Sequence, residues 1–224
     1  ALKTYLEQGL LHIREKRSDV VKDLIDVWSH DRTSHDQKMI LASTNEAVRD
    51  LNKKAQEVRI SFGELGKKNV QVNGYDVFEN DRVMFTENKN EYKVKNGYFA
   101  TVRSVNERTG EIAVKLDSGE LRQIPTADYK SIDLGYAITT HKAQGKTVDS
   151  CYVLAGGWMQ DRELTYVQMS RHREVARLYT SVEDAGQTIE HIAQMMNRSN
   201  QKESALSLEQ QEREKAIEKQ QVKQ

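Results

Sequence analysis

The hydrophobic pattern of this 224-residue chain changes its period twice, and those changes limit the folds that it can adopt. Up to residue 66 the apolar residues recur at helical spacing or form one short run, Met39-Ile40-Leu41-Ala42. From residue 70 to residue 125 they alternate with polar residues, and turn sequences such as Asn73-Gly74 and Asn96-Gly97 separate the alternating segments. Alternation indicates strands with one buried face, and tight turns between them are typical of antiparallel pairing. Residues 67–130 therefore predict a small antiparallel β-barrel.

The segments on either side predict an α/β domain that this barrel interrupts. The apolar run at residues 39–42 leads into Ser43-Thr44-Asn45, a helix-capping sequence, and then into a helix over residues 45–60. Strands alternating with helices are typical of a parallel sheet. We assign residues 37–66 and 131–184 to the α/β domain. Its later elements are predicted as strands at 135–139, 151–154 and 176–181 and a helix at 162–171.

The two ends of the chain differ from this central part. Residues 1–36 are predicted to be helical, because their apolar residues recur at helical spacing. Those residues are Leu2, Tyr5, Leu6 and Leu10, then Val20, Val21, Leu24, Ile25 and Trp28. Residues 185–224 are rich in Gln, Glu, Lys and Ser, and they predict a charged tail that is helical or disordered.

Composition excludes some classes of protein but does not identify a partner. Lysine plus arginine and aspartate plus glutamate both number 34, so any nucleic-acid contact must come from a local patch of charge. The single cysteine, Cys151, excludes an internal disulfide and fits a reducing compartment. No apolar run approaches the roughly 20 residues needed to cross a bilayer, so no membrane partner is expected. The chain begins at Ala1 rather than at a methionine, which suggests a fragment of a longer polypeptide or a processed product.

The sequence Gly145-Lys146-Thr147 ends like a phosphate-binding P-loop, but the rest of that motif is absent. A P-loop has a glycine five residues before its Gly-Lys pair, and here that position is Thr140. No predicted strand ends in an Asp-Glu pair that would hold magnesium, and the six histidines show no metal-ligand spacing. We therefore expect no metal site, and we expect that this chain does not hydrolyse ATP by itself.

Three motifs resemble those of a helicase family. His141-Lys142-Ala143-Gln144-Gly145 is similar to motif V of RecD-like superfamily 1B DNA helicases, and Tyr166-Val167-Gln168-Met169-Ser170-Arg171 is similar to motif VI. Residues 39–52 resemble motif IV, and the three follow each other in the family's order. The likeness is strongest to the helicase part of TraA-type conjugative relaxases, and it covers about residues 1–184. Each motif alone is weak, whereas the ordered set is specific.

The resemblance implies a fold, cofactors and partners. The chain would be the second RecA-like motor domain of a helicase, without the P-loop, carrying an inserted SH3-like barrel. Residues 1–36 would then be a helical linker from the preceding motor domain. ATP and Mg²⁺ would be held mainly by that first motor domain of the same polypeptide. Single-stranded DNA would be the other partner, with movement from 5′ to 3′, during plasmid conjugation in the bacterial cytoplasm.

The family's catalytic arginine corresponds to Arg171. An arginine delivered from a neighbouring domain stabilises the charge that develops on the γ-phosphate oxygens during phosphoryl transfer. The alternative for Arg171 is an ion pair with Glu174 at the surface. Arg173 is expected to assist it, and structural pairing is an equal alternative.

Three further residues are expected on the nucleotide side. Gln144 and Gly145 resemble a turn that approaches the nucleotide, with Gly145 permitting close backbone contact. Arg49 is expected to approach the phosphates from its helix, and a solvated helix face is the alternative. Superfamily 1A enzymes usually have a ribose-binding glutamate two residues after the glycine, where this chain has Thr147. The ribose contact therefore has no assigned residue.

The DNA contacts are expected at the ends of the parallel strands. Thr44, Thr140, His141 and Lys142 can donate to phosphate oxygens without reading bases. For Thr44, capping of the following helix is compatible with that role.

Two other functions remain open at this point. The same motor domain occurs in RecD-like exonuclease V subunits, which act in DNA repair. The chain is alternatively a stand-alone, non-catalytic DNA-binding or adaptor module. Its zero net charge argues against this last function, because a pure DNA binder usually shows a basic stripe.

Overall fold

The computed structural model describes residues 7–143, 145–156 and 172–185, and in them twelve strands and three helices. The helices are α1 (Arg17–His30), α2 (Asn45–Ser61) and α3 (Val182–Ala185). The strands are β1 (Leu11–Arg14), β2 (Lys38–Ala42), β3 (Asn69–Val72), β4 (Tyr75–Phe78), β5 (Arg82–Phe85), β6 (Phe99–Asn106), β7 (Glu111–Leu116), β8 (Leu121–Pro125), β9 (Ile132–Leu134), β10 (Ala137–Thr139), β11 (Val148–Leu154) and β12 (His172–Ser181). Residues outside the described ranges include the predicted helix at 162–171 and the predicted tail.

Five strands form the parallel sheet that the sequence predicted. Their order is β1-β12-β11-β2-β10, and every pairing in this sheet is parallel. Helices α1 and α2 pack on one face through a cluster that includes Leu24, Trp28, Leu51 and Tyr152. The opposite face carries a second buried cluster, which includes Cys151. The prediction of an α/β fold with a parallel sheet is therefore confirmed.

The prediction that residues 1–36 are a helical linker is wrong for residues 11–14. These residues form β1, which pairs with β12 at one edge of the parallel sheet, with Leu11 opposite Leu178. The following helix, α1, buries Val20, Leu24 and Trp28 against the same sheet. Leu10 and Leu11 fit helical spacing as well as strand spacing, and only the distant partner β12 decides between them.

The central segment forms an antiparallel part, as its alternating pattern predicted. Strands β5 to β9 form a sheet of order β8-β7-β6-β5-β9, and β3 pairs with β4 as a separate hairpin. The hairpin and the sheet share one apolar cluster, which includes Val77, Phe85 and Ile112. The assignment of this part as an SH3-like barrel, and the boundaries at 67–130, stay predictions.

The antiparallel part also packs directly against the parallel sheet. Met84 and Phe99, on neighbouring strands β5 and β6, belong to the same buried cluster as Ile138 of β10. At Gly135, a Cβ atom would lie 3.0 Å from the Val83 carbonyl carbon, so the close approach of the two backbones favours glycine there. Among the described residues, no helix has the length and apolar character required to cross a membrane.

Candidate nucleic-acid interface

The carboxyl edge of the parallel sheet, where β2 and β10 end, brings together the residues predicted to contact DNA. The two strands are neighbours, with Thr139 of β10 opposite Ala42 of β2. Thr44 follows β2 by two residues, and Thr140, His141 and Lys142 follow β10 directly. Loops after adjacent parallel strands meet at the same edge, which is where ligands bind in open α/β sheets.

Thr44 is the N-cap of α2, as its sequence position suggested. Its hydroxyl oxygen accepts a hydrogen bond from the Ala47 N–H at 3.2 Å, and the side chain is half-buried. The first turn of a helix presents unpaired N–H groups and a partial positive charge, both of which favour an anion. The capping role is therefore present, and it leaves the helix end oriented toward the carboxyl edge.

The three residues after β10 do not have equal access to solvent. Thr140 is buried, and both its N–H and its hydroxyl donate to the carbonyl oxygen of Ala42, at 3.2 and 3.4 Å. His141 and Lys142 are exposed. The Thr140 hydroxyl holds β10 to β2 in this structure, so the groups open to a phosphate are those of His141 and Lys142.

Arg49 lies at this carboxyl edge and not with the other residues of the nucleotide-side prediction. It is exposed in the second turn of α2 and lines a groove between α2 and the β3–β4 hairpin. The groove has a volume of about 790 Å³, and its lining also includes Lys53, Asn73, Tyr75 and Asp133. The structure therefore does not bring Arg49 together with Gly145 and Arg173.

The amino edge of the parallel sheet, where β2, β11 and β12 begin, holds Gly145 and Arg173. Both line a cavity of about 390 Å³, together with Gln37 and Lys146. Gly145 has a φ of 80°, a conformation that favours glycine, and apart from its chain neighbours no described residue has an atom within 4 Å of the position of a Cβ.

The basic side chains of this cavity contact acidic or aromatic groups of the chain. Arg173 donates to Asp149 at 2.9 Å and to the Gln37 side chain at 3.1 Å. The Lys146 ammonium lies 4.3 Å from the centre of the Phe99 ring, and burial lowers the pKa of Lys146. The structural pairing considered for Arg173 is thus present, with Asp149 as its partner.

Arg82 forms a bidentate ion pair in the lining of this cavity. Its guanidinium binds both carboxylate oxygens of Asp117, at 2.5 and 2.6 Å. A bidentate pair of this kind fixes both side chains, so Arg82 is not available to a ligand while Asp117 holds it.

Two predicted site residues, Gln144 and Arg171, lie outside the described residues. Arg171 immediately precedes β12, which begins at His172 on the amino edge. Within residues 7–143, 145–156 and 172–185, no group of three or more His, Cys, Asp or Glu residues is arranged to hold a metal ion.

A buried polar stripe on α2 contacts the start of β10 and was not predicted. It consists of Asn52, Gln56 and Arg59, which are buried on one side of the helix at spacings of four and three. The Asn52 amide oxygen accepts from the N–H groups of Tyr136 and Ala137, at 3.0 and 2.8 Å, and its amide nitrogen donates to the Ala137 carbonyl at 2.9 Å. Asn52 therefore pairs with the start of β10 much as a neighbouring strand would.

The same stripe also binds the antiparallel part. Gln56 donates to Asp81 at 2.7 Å, and Arg59 donates to the Tyr136 hydroxyl at 2.9 Å. The Tyr136 hydroxyl in turn donates to Asp81, which is fully buried. Burial raises the pKa of Asp81 to about 6. The polar stripe on α2 thus joins the start of β10 to Asp81, the residue that directly precedes β5.

The signal for this stripe was present in the sequence but ambiguous. Polar residues at helical spacing usually form a solvated face. Here they adjoin Leu51 and Ala55, which are fully buried, and each of them has a partner more than 20 residues away along the chain.

The amino-acid sequence of this chain is similar to part of known conjugal transfer proteins. No protein-family model matches the chain. It is 32% identical over 215 residues to the conjugal transfer protein TraA of Rhizobium radiobacter, and 34% identical over 215 residues to that of Agrobacterium fabrum. Each alignment covers 93% of this chain and 19% of the relative, so the chain spans about a fifth of the length of these curated relatives.

Solved structures of helicases share the fold. A crystal structure of Pif1 helicase from Bacteroides, in complex with ADP-AlF3 and single-stranded DNA, superposes with a TM-score of 0.53 at 18% identity. That likeness covers 89% of this chain and 51% of the Pif1 chain. A structure of two coordinating Pif1 helicases at forked double-stranded DNA gives a TM-score of 0.51 at 17% identity, over 88% and 52% of the two chains. The chain is therefore similar in sequence to part of the TraA conjugal transfer proteins, and it has the fold of about half of a Pif1 helicase.

Proposed function

We propose that the chain is the second RecA-like motor domain of an ATP-dependent DNA helicase that acts in conjugative plasmid transfer. The observation that carries this proposal is the 32–34% identity to TraA conjugal transfer proteins across 93% of the chain. The Pif1-like fold agrees with it, because helicase motors of this kind are built from RecA-like domains. In this proposal the motor moves along single-stranded DNA, and an SH3-like barrel interrupts the domain at residues 67–130.

The carboxyl edge is the surface that grips the DNA. Exposed His141 and Lys142 donate to phosphate oxygens, and the capped end of α2 at Thr44 adds its partial positive charge. Arg49 extends this surface along α2. These contacts reach the phosphates and not the base edges, so the grip is independent of base sequence.

The amino edge faces the nucleotide. Lys146 and Arg173 line a cavity there beside Gly145, and their cationic groups support a phosphate-bearing ligand. ATP with Mg²⁺ supplies the phosphoryl-transfer chemistry and is held mainly by the preceding motor domain of the same polypeptide. Arg171, two residues before Arg173, stabilises the negative charge that develops on the γ-phosphate oxygens. Closing and opening of the two motor domains shift the His141–Lys142 contacts along the strand.

Binding of a labelled oligo(dT) strand by the chain tests the DNA part of this proposal. Fluorescence anisotropy at several salt concentrations should show an affinity that falls as salt rises, because phosphate contacts release counterions. The same oligonucleotide in a duplex is the control, and we expect it to bind more weakly. The absence of binding at low salt, or binding that does not depend on salt, would contradict the proposal.

A further inference from the structure

We propose that Asp133 limits how tightly the carboxyl edge holds a DNA phosphate, because it occupies the Lys142 ammonium when no phosphate is bound. The inference rests on the function proposed above, and it adds a residue that sets affinity without touching DNA.

The geometry that leads to this inference is a bridge between the two parts of the fold. Asp133 lies on β9 of the antiparallel sheet, and Lys142 lies in the loop after β10 of the parallel sheet. The Asp133 Oδ2 atom is 3.9 Å from Lys142 Nζ, and the two side chains are 29% and 41% exposed. A carboxylate oxygen and a phosphate oxygen accept from the same ammonium donors, so an incoming phosphate competes with Asp133 for Lys142.

A second contact fixes the orientation of the Asp133 carboxylate. Asn73, at the turn of the β3–β4 hairpin, donates from its side-chain nitrogen to Asp133 Oδ1 at 2.7 Å. Asn73 has a φ of 50°, in the left-handed region that Asn tolerates better than most residues. One carboxylate oxygen is thus held by the hairpin while the other remains with Lys142. This arrangement keeps the Asp133 carboxylate next to the Lys142 ammonium that is proposed to bind a phosphate.

The position of Asp133 relative to the other charges makes it the acid most relevant to DNA. It lines the same groove as Arg49 and Lys53, so its negative charge opposes an anion there as well. Asp50, Glu57 and Asp76 also line this groove, but none of them pairs with Lys142 among the described residues. Loss of the Asp133 charge therefore has a local effect on Lys142 that loss of the Asp76 charge lacks.

The variant Asp133→Asn tests the inference, because an Asn oxygen still accepts from Asn73 while the negative charge is lost. An exposed ion pair contributes little free energy, so we expect the affinity of the chain for oligo(dT) to rise only about two- to fivefold. The dependence of log affinity on log salt should become steeper, by less than the roughly 0.7 that one whole phosphate contact contributes on a single strand. Asp76→Asn, which removes one charge from the same groove, is the matched control and should raise affinity less.

A double-mutant cycle of Asp133→Asn with Lys142→Ala isolates the contribution of the Asp133–Lys142 pair to DNA affinity. In the Lys142→Ala background, Asp133→Asn should leave affinity within about 1.5-fold, because the partner is gone. An unchanged or weaker affinity for Asp133→Asn in a chain that unfolds at the wild-type temperature would overturn the inference. An equal gain for Asp76→Asn, or a gain that persists without Lys142, would also overturn it. Failure of the wild-type chain to bind oligo(dT) at all would instead overturn the proposed function.

Discussion

The two edges of the parallel sheet carry basic residues in different electrostatic settings. At the carboxyl edge His141 and Arg49 are exposed, and the ion pair of Lys142 with Asp133 is long, at 3.9 Å. At the amino edge Arg173 lies 2.9 Å from Asp149, and Arg82 binds Asp117 at 2.5 Å. A ligand anion thus meets weakly held cations at one edge and firmly paired arginines at the other.

This difference separates two roles that the sequence motifs place side by side. Residues 141–145 are contiguous, yet Lys142 follows a strand end at the carboxyl edge and Gly145 lies just before a strand start at the amino edge. The short loop between β10 and β11 therefore connects the surface proposed for DNA with the surface proposed for the nucleotide. The two surfaces are therefore linked through the backbone of a single loop.

The largest effect is expected from Arg171→Ala, at the residue proposed to act on the γ-phosphate. In a polypeptide that includes the ATP-binding motor domain, we expect the DNA-stimulated rate of ATP hydrolysis to fall about 10³-fold or more while ATP binding persists. Arg173→Ala is the matched comparison, and we expect a loss of about tenfold or less because Asp149 and Gln37 already hold that arginine. Steady-state ATPase assays separate the two. A near wild-type rate for Arg171→Ala would remove it from the catalytic role.

A smaller effect, on the pH dependence of folding stability, is expected at Asp81, where the polar stripe on α2 joins β10 to the antiparallel part. Burial raises the pKa of Asp81 to about 6, compared with about 3.9 in an unfolded chain. The folded state therefore binds this proton more tightly, and the stability that it contributes is present below about pH 4 and lost as the pH rises through about 6. From pH 4 to pH 6.5 the wild type should lose about 2–3 kcal/mol relative to Asp81→Asn.

Urea denaturation of both proteins across that pH range measures the difference. Asp76→Asn, the loss of an exposed acid from β4, serves as the control and should follow the wild-type curve. Parallel curves for the wild type and Asp81→Asn would show that the Asp81 proton is not linked to folding.

The ion pair of Arg82 at the amino edge predicts a change in stability without a change in DNA binding. Arg82 is buried, whereas the Asp117 side chain is 40% exposed, so water compensates part of the lost pair. We expect Arg82→Met to lower the free energy of unfolding by about 1–2 kcal/mol. Urea denaturation measures this loss, and the salt dependence of oligo(dT) binding should be unchanged. A changed salt dependence would mean that the two edges are not electrostatically separate.

The fold was largely predictable because burial in each part follows a single period. The apolar runs of β2 and β11 indicated buried parallel strands, and the alternation at Val83, Ala100, Val102 and Val114 identified the interior of the antiparallel part. Alternation cannot describe a strand with both faces buried. Phe99 and Ala100 are neighbours on β6, yet Phe99 is buried toward the parallel sheet and Ala100 faces the antiparallel core.

The sequence predicted which loops of the candidate site lie close together, because that follows from the order of the strands, but it did not predict the side-chain contacts. Parallel neighbours end at the same edge, so the proximity of Thr44 to His141 and Lys142 followed from the assignment of two strands. The position of Arg49 and the partners of Lys142 did not follow, because they depend on how the β3–β4 hairpin and β9 pack against α2. Such contacts join residues far apart in the chain and leave no periodic signal.

The central claim is that phosphates bind at the carboxyl edge, and Lys142→Ala compared with Lys146→Ala tests it most directly. The two lysines are four residues apart in one loop and lie on opposite edges of the sheet. The measurement is the slope of log affinity for oligo(dT) against log salt, for the wild type and both variants. We predict that Lys142→Ala flattens the slope by about 0.7 and that Lys146→Ala leaves it unchanged. A flatter slope for Lys146→Ala, with Lys142→Ala unchanged, would contradict the assignment of the two edges.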